Sequence, residues 1–342
     1  MINIAVIGYG RVGTAHTAHH ATLPSVRITA IVDTSAARRR AAAARHPEAQ
    51  HVAYLGQVTT PIDLVLICTP PTSHEPLIDA ALRRGAHVFC EKPVFLNPDH
   101  GRRLVALAAA RQRIIYPGHN YLFSPMLKQL RTYATSGAIG PVRHIIIQID
   151  RTGPARGADD WHPTWRTDIT HSAGGILTDH GPHCIYLTEW LSGQRIISAS
   201  ATTDTEPGDV DHHAELNLSL TAGVTATATL SWQANARRST YLLVGSTGQA
   251  RMENNRLFPP AGPPITGYHE TPTTTHAHDD WIPTLAHDLT TSLTKPERLH
   301  NLTEPAITIA HILAHHAIDS PAPDPTPPAT ATRHPPSSSP SQ

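Results

Sequence analysis

The segment Gly8-Tyr9-Gly10-Arg11-Val12-Gly13 follows directly on an apolar run, Ile4-Ala5-Val6-Ile7, and leads directly into helix-forming sequence. Three glycines at this spacing between a strand and a helix leave few folds open. The first permits a tight turn, the second lets another group come close to the main chain, and the third lets helix and strand pack tightly. A helix that starts here points its unpaired N–H groups and its partial positive charge at the turn, an arrangement that suits phosphate.

Asp33 ends the next β-branched run, Ile28-Thr29-Ala30-Ile31-Val32, about 20 residues after Gly13, where this fingerprint places an acid on the adenosine ribose. The turn is therefore read as dinucleotide-binding, with Gly8, Gly10, Arg11, Val12, Gly13 and Asp33 as cofactor-binding residues. The negative charge of Asp33 repels a 2′-phosphate, so NAD is favoured over NADP. Arg38, Arg39 and Arg40 are the counter-argument, because an arginine near this acid can receive a 2′-phosphate; they are read as a solvated helix face.

The pattern continues through Leu64-Val65-Leu66-Ile67, His87-Val88-Phe89-Cys90 and Arg113-Ile114-Ile115-Tyr116, with helical stretches at 35–45, 74–84 and 98–111 between the runs. Near-continuous apolar strands alternating with helices predict a parallel sheet covered on both faces, a Rossmann-type doubly wound α/β domain over residues 1–119. After His119 the grammar changes. A helix over 125–135 ends at Gly137, and strands then dominate at 142–150, 196–203, 212–220, 224–232, 240–244 and 249–252. Ala214, Leu216, Leu218 and Leu220 alternate with Glu215, Asn217 and Ser219, the period of an antiparallel sheet with one covered face. Residues 120–319, with helices near 280–292 and 304–316, are predicted to form an α+β domain with an open, mostly antiparallel sheet that binds substrate and builds oligomers. Residues 320–342 are rich in Pro and Ser without hydrophobic period, and are expected to be disordered.

Composition excludes several classes. Lys plus Arg and Asp plus Glu each number 27, which leaves no basic field for nucleic acid. No apolar run is long enough to span a bilayer, and the first residues lack a leader pattern, so a soluble protein without membrane contact is expected. Cys68, Cys90 and Cys184 have no metal-like spacing and read as packing residues of a cytoplasmic protein. Histidine is abundant at 25 residues, and His16, His19 and His20 share a helical face, but no carboxylate or cysteine stands among them; no metal site is assigned.

Thr69-Pro70-Pro71-Thr72-Ser73-His74, then Gly85-Ala86-His87-Val88-Phe89-Cys90-Glu91-Lys92-Pro93, then Gly174-Gly175-Ile176-Leu177-Thr178-Asp179-His180-Gly181-Pro182-His183, in this order after a dinucleotide turn, closely resemble the Gfo/Idh/MocA family. The resemblance spans most of the chain from Ile4 to about His316. It implies an NAD(P)-dependent oxidoreductase that moves hydride between the nicotinamide and a carbinol or carbonyl carbon of a sugar, cyclitol or related polyol. It implies that Lys92 reaches the reacting oxygen, that His183 is a general acid/base, and that Asp179 orients it or binds a hydroxyl. Thr69, Pro70, His74, Glu91 and Lys92 are thereby placed at the cofactor, and Asn120, Tyr121, Trp165, Arg166, Asp179 and His183 at the substrate. Trp161 and Trp165 fit core or site equally. Pro93 is a candidate for a cis bond. Ala173 stands where family members often carry a third glycine. An NAD-assisted glycoside hydrolase and a non-catalytic dinucleotide sensor are the alternative readings. A homodimer or homotetramer through the second sheet is expected.

Overall fold

The structure, a computed structural model, describes residues 1–206, 208–266, 279–293 and 300–319; the tail read as disordered lies outside the described residues. In the first part strand and helix alternate: β1 (Ile2–Ile7), α1 (Arg11–His20), β2 (Val26–Val32), α2 (Ala36–Arg45), β3 (Gln50–Val52), β4 (Leu64–Ile67), α3 (His74–Arg83), β5 (His87–Cys90), α4 (Pro98–Ala110) and β6 (Ile115–Pro117). Helix starts follow from capping chemistry. Asn97 accepts from the His100 N–H at 2.9 Å at the head of α4, and Ser35 caps α2. All six strands run parallel in the order β3-β2-β1-β4-β5-β6. The order reverses between β1 and β4, so a crevice opens beyond their carboxyl ends. Leu64, Val65, Leu66 and Ile67 of β4 have no exposure, as a central strand covered on both faces requires.

The second part comprises α5 (Pro125–Thr135), β7 (Val142–Asp150), the short α6 (Ile169–Ser172), α7 (Ile176–Ser192), β8 (Ile196–Thr203), β9 (His213–Leu220), β10 (Thr225–Ser231), β11 (Arg238–Gly245), β12 (Gln249–Glu253), β13 (Arg256–Phe258), α8 (Ile282–Ser292), α9 (His300–His315) and β14 (Ala317–Asp319). Its strands form one sheet in the order β13-β12-β11-β7-β10-β9-β8-β14, antiparallel at every pairing except β7 with β10. The predicted alternation in β9 holds: Ala214, Leu216, Leu218 and Leu220 are buried on the side of α7, and Glu215, Asn217 and Ser219 face outward. The outward face is not the apolar patch that would by itself mark an interface. Ser and Thr are its commonest residues, with Ile146, 37% exposed, Leu242, Val244 and Phe258 among its apolar members.

Two features were not legible in sequence. The three-residue strands β3, β13 and β14 are too short to show a period, and their pairing is decided by their neighbours. Helices α8 and α9, late in the chain, pack back on the first sheet: Leu285 and Leu289 join the core beneath α1, and Ala306, Ile307 and Ala310 join the core beneath α3 and α4. Helix α9 also starts at His300, earlier than expected, and carries Pro305 inside it. No described helix is long and apolar enough to cross a membrane.

Burial lowers His20 to about 4 and His119, stacked on Tyr186 at 4.1 Å, to about 3. The unfolded chain takes up these protons near pH 6.5, so stability is complete above that value and is lost as pH falls from 6.5 through the lowered values. Thermal melts from pH 6.5 down to 4 are expected to show this loss. His119→Phe, which keeps a stacked ring and takes up no proton, is expected to reduce the slope by of the order of 1 kcal/mol per pH unit. Identical slopes for the two proteins would exclude His119.

Candidate active site

A cleft of about 640 Å³ runs along the carboxyl edge of the first sheet and under the loops of the second part, a size that suits a ligand rather than a packing defect. At one end lies the glycine turn. Gly8 has φ +87°, and a Cβ there would meet the Cys68 carbonyl oxygen at 2.8 Å; a Cβ on Gly13 would meet the Gly8 oxygen at 1.8 Å. Around Gly10, by contrast, there is open space on the cleft side. No side chain caps α1, so its first N–H groups face that space. Asp33 is held by the Tyr9 N–H on Oδ2 and the Ser35 N–H on Oδ1, both at 2.8 Å, which fixes the carboxylate at the cleft and leaves lone pairs for ribose hydroxyls. These residues fit a dinucleotide: a phosphate cradle at Gly10 and a fixed acid at the ribose.

The three arginines after Asp33 are not one solvated face. Only Arg40 is exposed. Arg39 donates from Nη1 to the main-chain oxygens of Asp33 at 2.7 Å and Thr34 at 3.0 Å. Arg38 lines the cleft and pairs with Asp160, a residue 122 positions along the chain. The acid that occupies Arg38 comes from another part of the fold, which no local pattern reveals.

At the other end Glu91-Lys92-Pro93 follows β5, with a cis bond between Lys92 and Pro93. Lys92 Nζ donates to Asp179 Oδ1 at 2.7 Å and to the Asp179 main-chain oxygen. Arg166 Nε lies 3.4 Å and His180 Nε2 3.8 Å from Asp179 Oδ2. Burial pushes the Asp179 carboxyl up, but Lys92, Arg166 and His180 together outweigh it and hold the group well below the usual carboxylate range. Asp179 lies in the first turn of α7, whose start is set by Asp211: its carboxylate accepts from Gly175 N–H and Leu177 N–H, each at 2.7 Å, and its main-chain oxygen accepts from Ile176 N–H at 2.9 Å. A Cβ on Gly175 would meet that oxygen at 1.9 Å, so this glycine is required by contact. Ala173, which departs from the run of three glycines common in the family, has φ +59° at the end of α6 and takes the left-handed conformation despite its Cβ.

Asp179 and His183 lie one turn apart on α7 and both line the cleft. The partner that orients the histidine, however, is Tyr186, whose hydroxyl meets His183 Nδ1 at 2.7 Å and accepts from Tyr121 N–H at 3.3 Å. Asp179 serves Lys92 and Arg166 instead. Tyr186 sits one turn on from His183 and was missed because a tyrosine in an apolar helix reads as core.

Gly8, Gly10, Arg11, Val12, Asp33, Thr69, Pro70, Glu91, Lys92, Asn120, Tyr121, Trp165, Arg166, Asp179 and His183 all line the cleft. His74 does not. Its Nδ1 faces the Pro93 oxygen at 2.7 Å and its Nε2 the Thr69 oxygen at 2.8 Å, and at 1% exposure it braces two cleft loops against each other. Trp161 and Trp165 are half-buried walls of the cleft, and the Arg166 guanidinium stacks on Trp165 at 4.3 Å. His16, to which sequence reading assigned no role, is 2% exposed on the cleft with Nε2 3.4 Å from Glu91 Oε1. Among the described residues no group of three or more His, Cys, Asp or Glu is arranged to hold a metal.

Residues 2–119 match the family model described as oxidoreductase family, NAD-binding Rossmann fold (GFO/IDH/MocA), and residues 127–251 match the GFO/IDH/MocA C-terminal domain. Inositol 2-dehydrogenase of Rhizobium meliloti (strain 1021) is 26% identical over 266 residues, 75% of this chain and 76% of that protein. Among solved structures, GenD2 from gentamicin A biosynthesis in complex with NAD superposes with a TM-score of 0.77 at 20% identity, over 91% of this chain and 92% of that one. Levoglucosan dehydrogenase in complex with NADH and levoglucosan gives 0.76 at 19% identity, over 91% and 95%. These structural likenesses show the fold.

Replacing Asp33 by alanine removes a charged hydrogen-bond acceptor and the group that repels a 2′-phosphate, beside an arginine already at the cleft. NADH affinity measured by fluorescence titration is expected to weaken by about 1.5 to 3 kcal/mol, and the ratio of NADPH to NADH affinity to rise. An unchanged ratio would show that another group reads the ribose.

Proposed function

The chain belongs to the GFO/IDH/MocA family of NAD-binding oxidoreductases, and on that premise we propose that it oxidises a carbinol of a sugar, cyclitol or related polyol, or reduces the corresponding carbonyl, with residues 1–119 as the dinucleotide-binding unit and 120–319 as the substrate and assembly unit. The observation that carries this reading is the meeting of Lys92, Asp179 and His183 at the mouth of the crevice. Inositol 2-dehydrogenase among the relatives favours a cyclitol or sugar as the substrate class.

When bound, the nicotinamide supplies the acceptor or donor of hydride. The chain's own residues manage the rest. Lys92 directs its ammonium at the reacting oxygen, where positive charge stabilises negative charge as the hydride leaves or arrives. Asp179, ionised across the neutral range, holds Lys92 by two hydrogen bonds and leaves part of Oδ2 for a substrate hydroxyl. His183, oriented through Nδ1 by Tyr186, takes the hydroxyl proton in oxidation and returns it in reduction. Trp165 offers an apolar face to a sugar ring. Glu91, Thr69 and Pro70 are assigned to the cofactor, and Asn120 and Tyr121 to the substrate; all five line the cleft.

The uncovered face of the second sheet is the surface we assign to self-association as a dimer or tetramer; light scattering coupled to size exclusion at micromolar protein is expected to give a multiple of 37.0 kDa, and a monomer mass would exclude it.

The catalytic assignment is tested with polyols screened by the absorbance of reduced nicotinamide. Lys92→Ala and His183→Ala are each expected to lower kcat by about 10²-fold or more while NADH still binds, and the double variant to be little worse than the poorer single, since cooperating groups are not additive. Wild-type turnover by Lys92→Ala would overturn the assignment.

A further inference from the structure

Between β7 and α6 the chain runs over residues 151–168 and supplies one wall of the cleft, from Gly153 to Arg166. This wall touches both ends of the site. At the substrate end Arg166 Nε lies 3.4 Å from Asp179 Oδ2, and at the ribose end Asp160 accepts a charged hydrogen bond from Arg38 Nη2. Local contacts shape the turn that carries Asp160. Gly157 N–H donates to the Pro163 oxygen at 2.7 Å, Trp161 N–H donates to the Ala158 oxygen at 3.1 Å, and a Cβ on Gly157 would meet Trp165 Cδ1 at 2.6 Å. Of the two adjacent acids on this turn, Asp159 is 92% exposed and pairs with Arg156 at 3.6 Å, whereas Asp160 is committed to Arg38.

An ion pair whose side chains are 21% and 41% exposed adds little to stability. Its consequence is electrostatic and local. Ser35 N–H donates to Asp33 Oδ1 at 2.8 Å, and Ser35 Oγ accepts from Arg38 N–H at 3.4 Å, so Arg38 leaves the chain beside the clamp that holds the ribose acid. Arg39 is braced on main-chain oxygens and Arg40 is exposed, which makes Arg38 the arginine of this run that lines the cleft. An uncommitted guanidinium there would offset the charge of Asp33 and offer a fork of donors to a phosphate. With Asp160 in place Nη2 is engaged, and a phosphate brought to this arginine would stand beside two carboxylates.

We propose that Asp160 is a positioning residue for the choice of cofactor. By holding Arg38 it withholds this cation from the 2′-phosphate of NADP, so that two acids from the two halves of the molecule, Asp33 and Asp160, set the preference for NAD. Asp33 acts on the dinucleotide directly, and Asp160 acts through Arg38. The inference rests on the dinucleotide-binding assignment of the glycine turn and Asp33, and it holds whichever polyol occupies the other end of the cleft.

The test is binding of NADH and NADPH to the full-length protein, measured by fluorescence titration and expressed as the ratio of the two affinities. Asp160→Asn removes the charge and keeps the shape. It is expected to tighten NADPH binding by about tenfold, as one hydrogen bond between charged partners provides, and to change NADH binding by less than about threefold. Asp160→Glu, which keeps a carboxylate, is expected to retain the wild-type ratio. In an Arg38→Gln background Asp160→Asn is expected to leave the ratio unchanged, since the cation it would release is gone. A merely structural role for Asp160 would move both affinities, with or without Arg38. Asp33→Ala leaves Arg38 engaged, so Asp33→Ala combined with Asp160→Asn is expected to shift the ratio further than either change alone. An unchanged ratio in Asp160→Asn, an equal gain for both dinucleotides, or the same rise in the Arg38→Gln background would overturn the proposal. So would a wild-type protein that binds NADPH as tightly as NADH. Binding of neither dinucleotide would overturn it together with the assignment of the glycine turn, whereas a shifted ratio without turnover of any polyol leaves it standing and removes the dehydrogenase reading.

Discussion

The ion pair between Lys92 and Asp179 joins the carboxyl end of a parallel strand to the first turn of a helix from the other half of the molecule, and the rest of the cleft is arranged around it. Its side chains are 16% and 15% exposed, so desolvation opposes it, and a bare pair at this depth would be a poor source of stability. Three things offset that cost. Lys92 makes a second bond to the Asp179 main-chain oxygen, Arg166 approaches the other carboxylate oxygen, and the head of α7 favours a negative charge in its first turn. The pair therefore sets the two halves in register at the point where the crevice of the first sheet opens.

Its placement depends on two backbone devices. On one side, the strand order of the first sheet reverses between β1 and β4, with β5 next in line, so the residues after β5 emerge at the same carboxyl edge as the glycine turn. On the other, Asp211 takes three successive N–H groups at the head of α7 and fixes the angle at which Asp179 and His183 project. Gly175 has to be a glycine because the Asp211 main chain occupies the place of a side chain. Tyr186 then orients the imidazole one turn on, which frees Asp179 to serve the lysine.

Cationic side chains cluster around the pair. The whole chain is neutral, yet Lys92, Arg151, Arg166 and Arg237 gather on the cleft beside Asp179. At the ribose end the opposite holds: Arg38 has been given a partner, Asp160, so that Asp33 stands as the free charge at the cofactor. Which arginine receives an acidic partner is a choice of tertiary placement.

Much of the fold was legible because its signals are local. A strand buried on both faces reads as an apolar run, a half-covered strand reads as alternation, and a phosphate-binding turn needs its glycines within six residues; these determined the parallel sheet, the antiparallel sheet and the head of α1 from sequence alone. Lys92, Asp179 and His183 were legible through motifs that also sit within short windows. What sequence left open was every property that depends on a partner far along the chain. Arg38, Arg39 and Arg40 look alike in sequence, and only folding makes one an ion pair in the cleft, one a brace on carbonyls and one a solvated charge. Tyr186 as the orienting group, His74 as a brace, and α8 and α9 as cover for the first sheet were decided by tertiary structure, because desolvation and hydrogen-bond satisfaction are set by what surrounds a group in space.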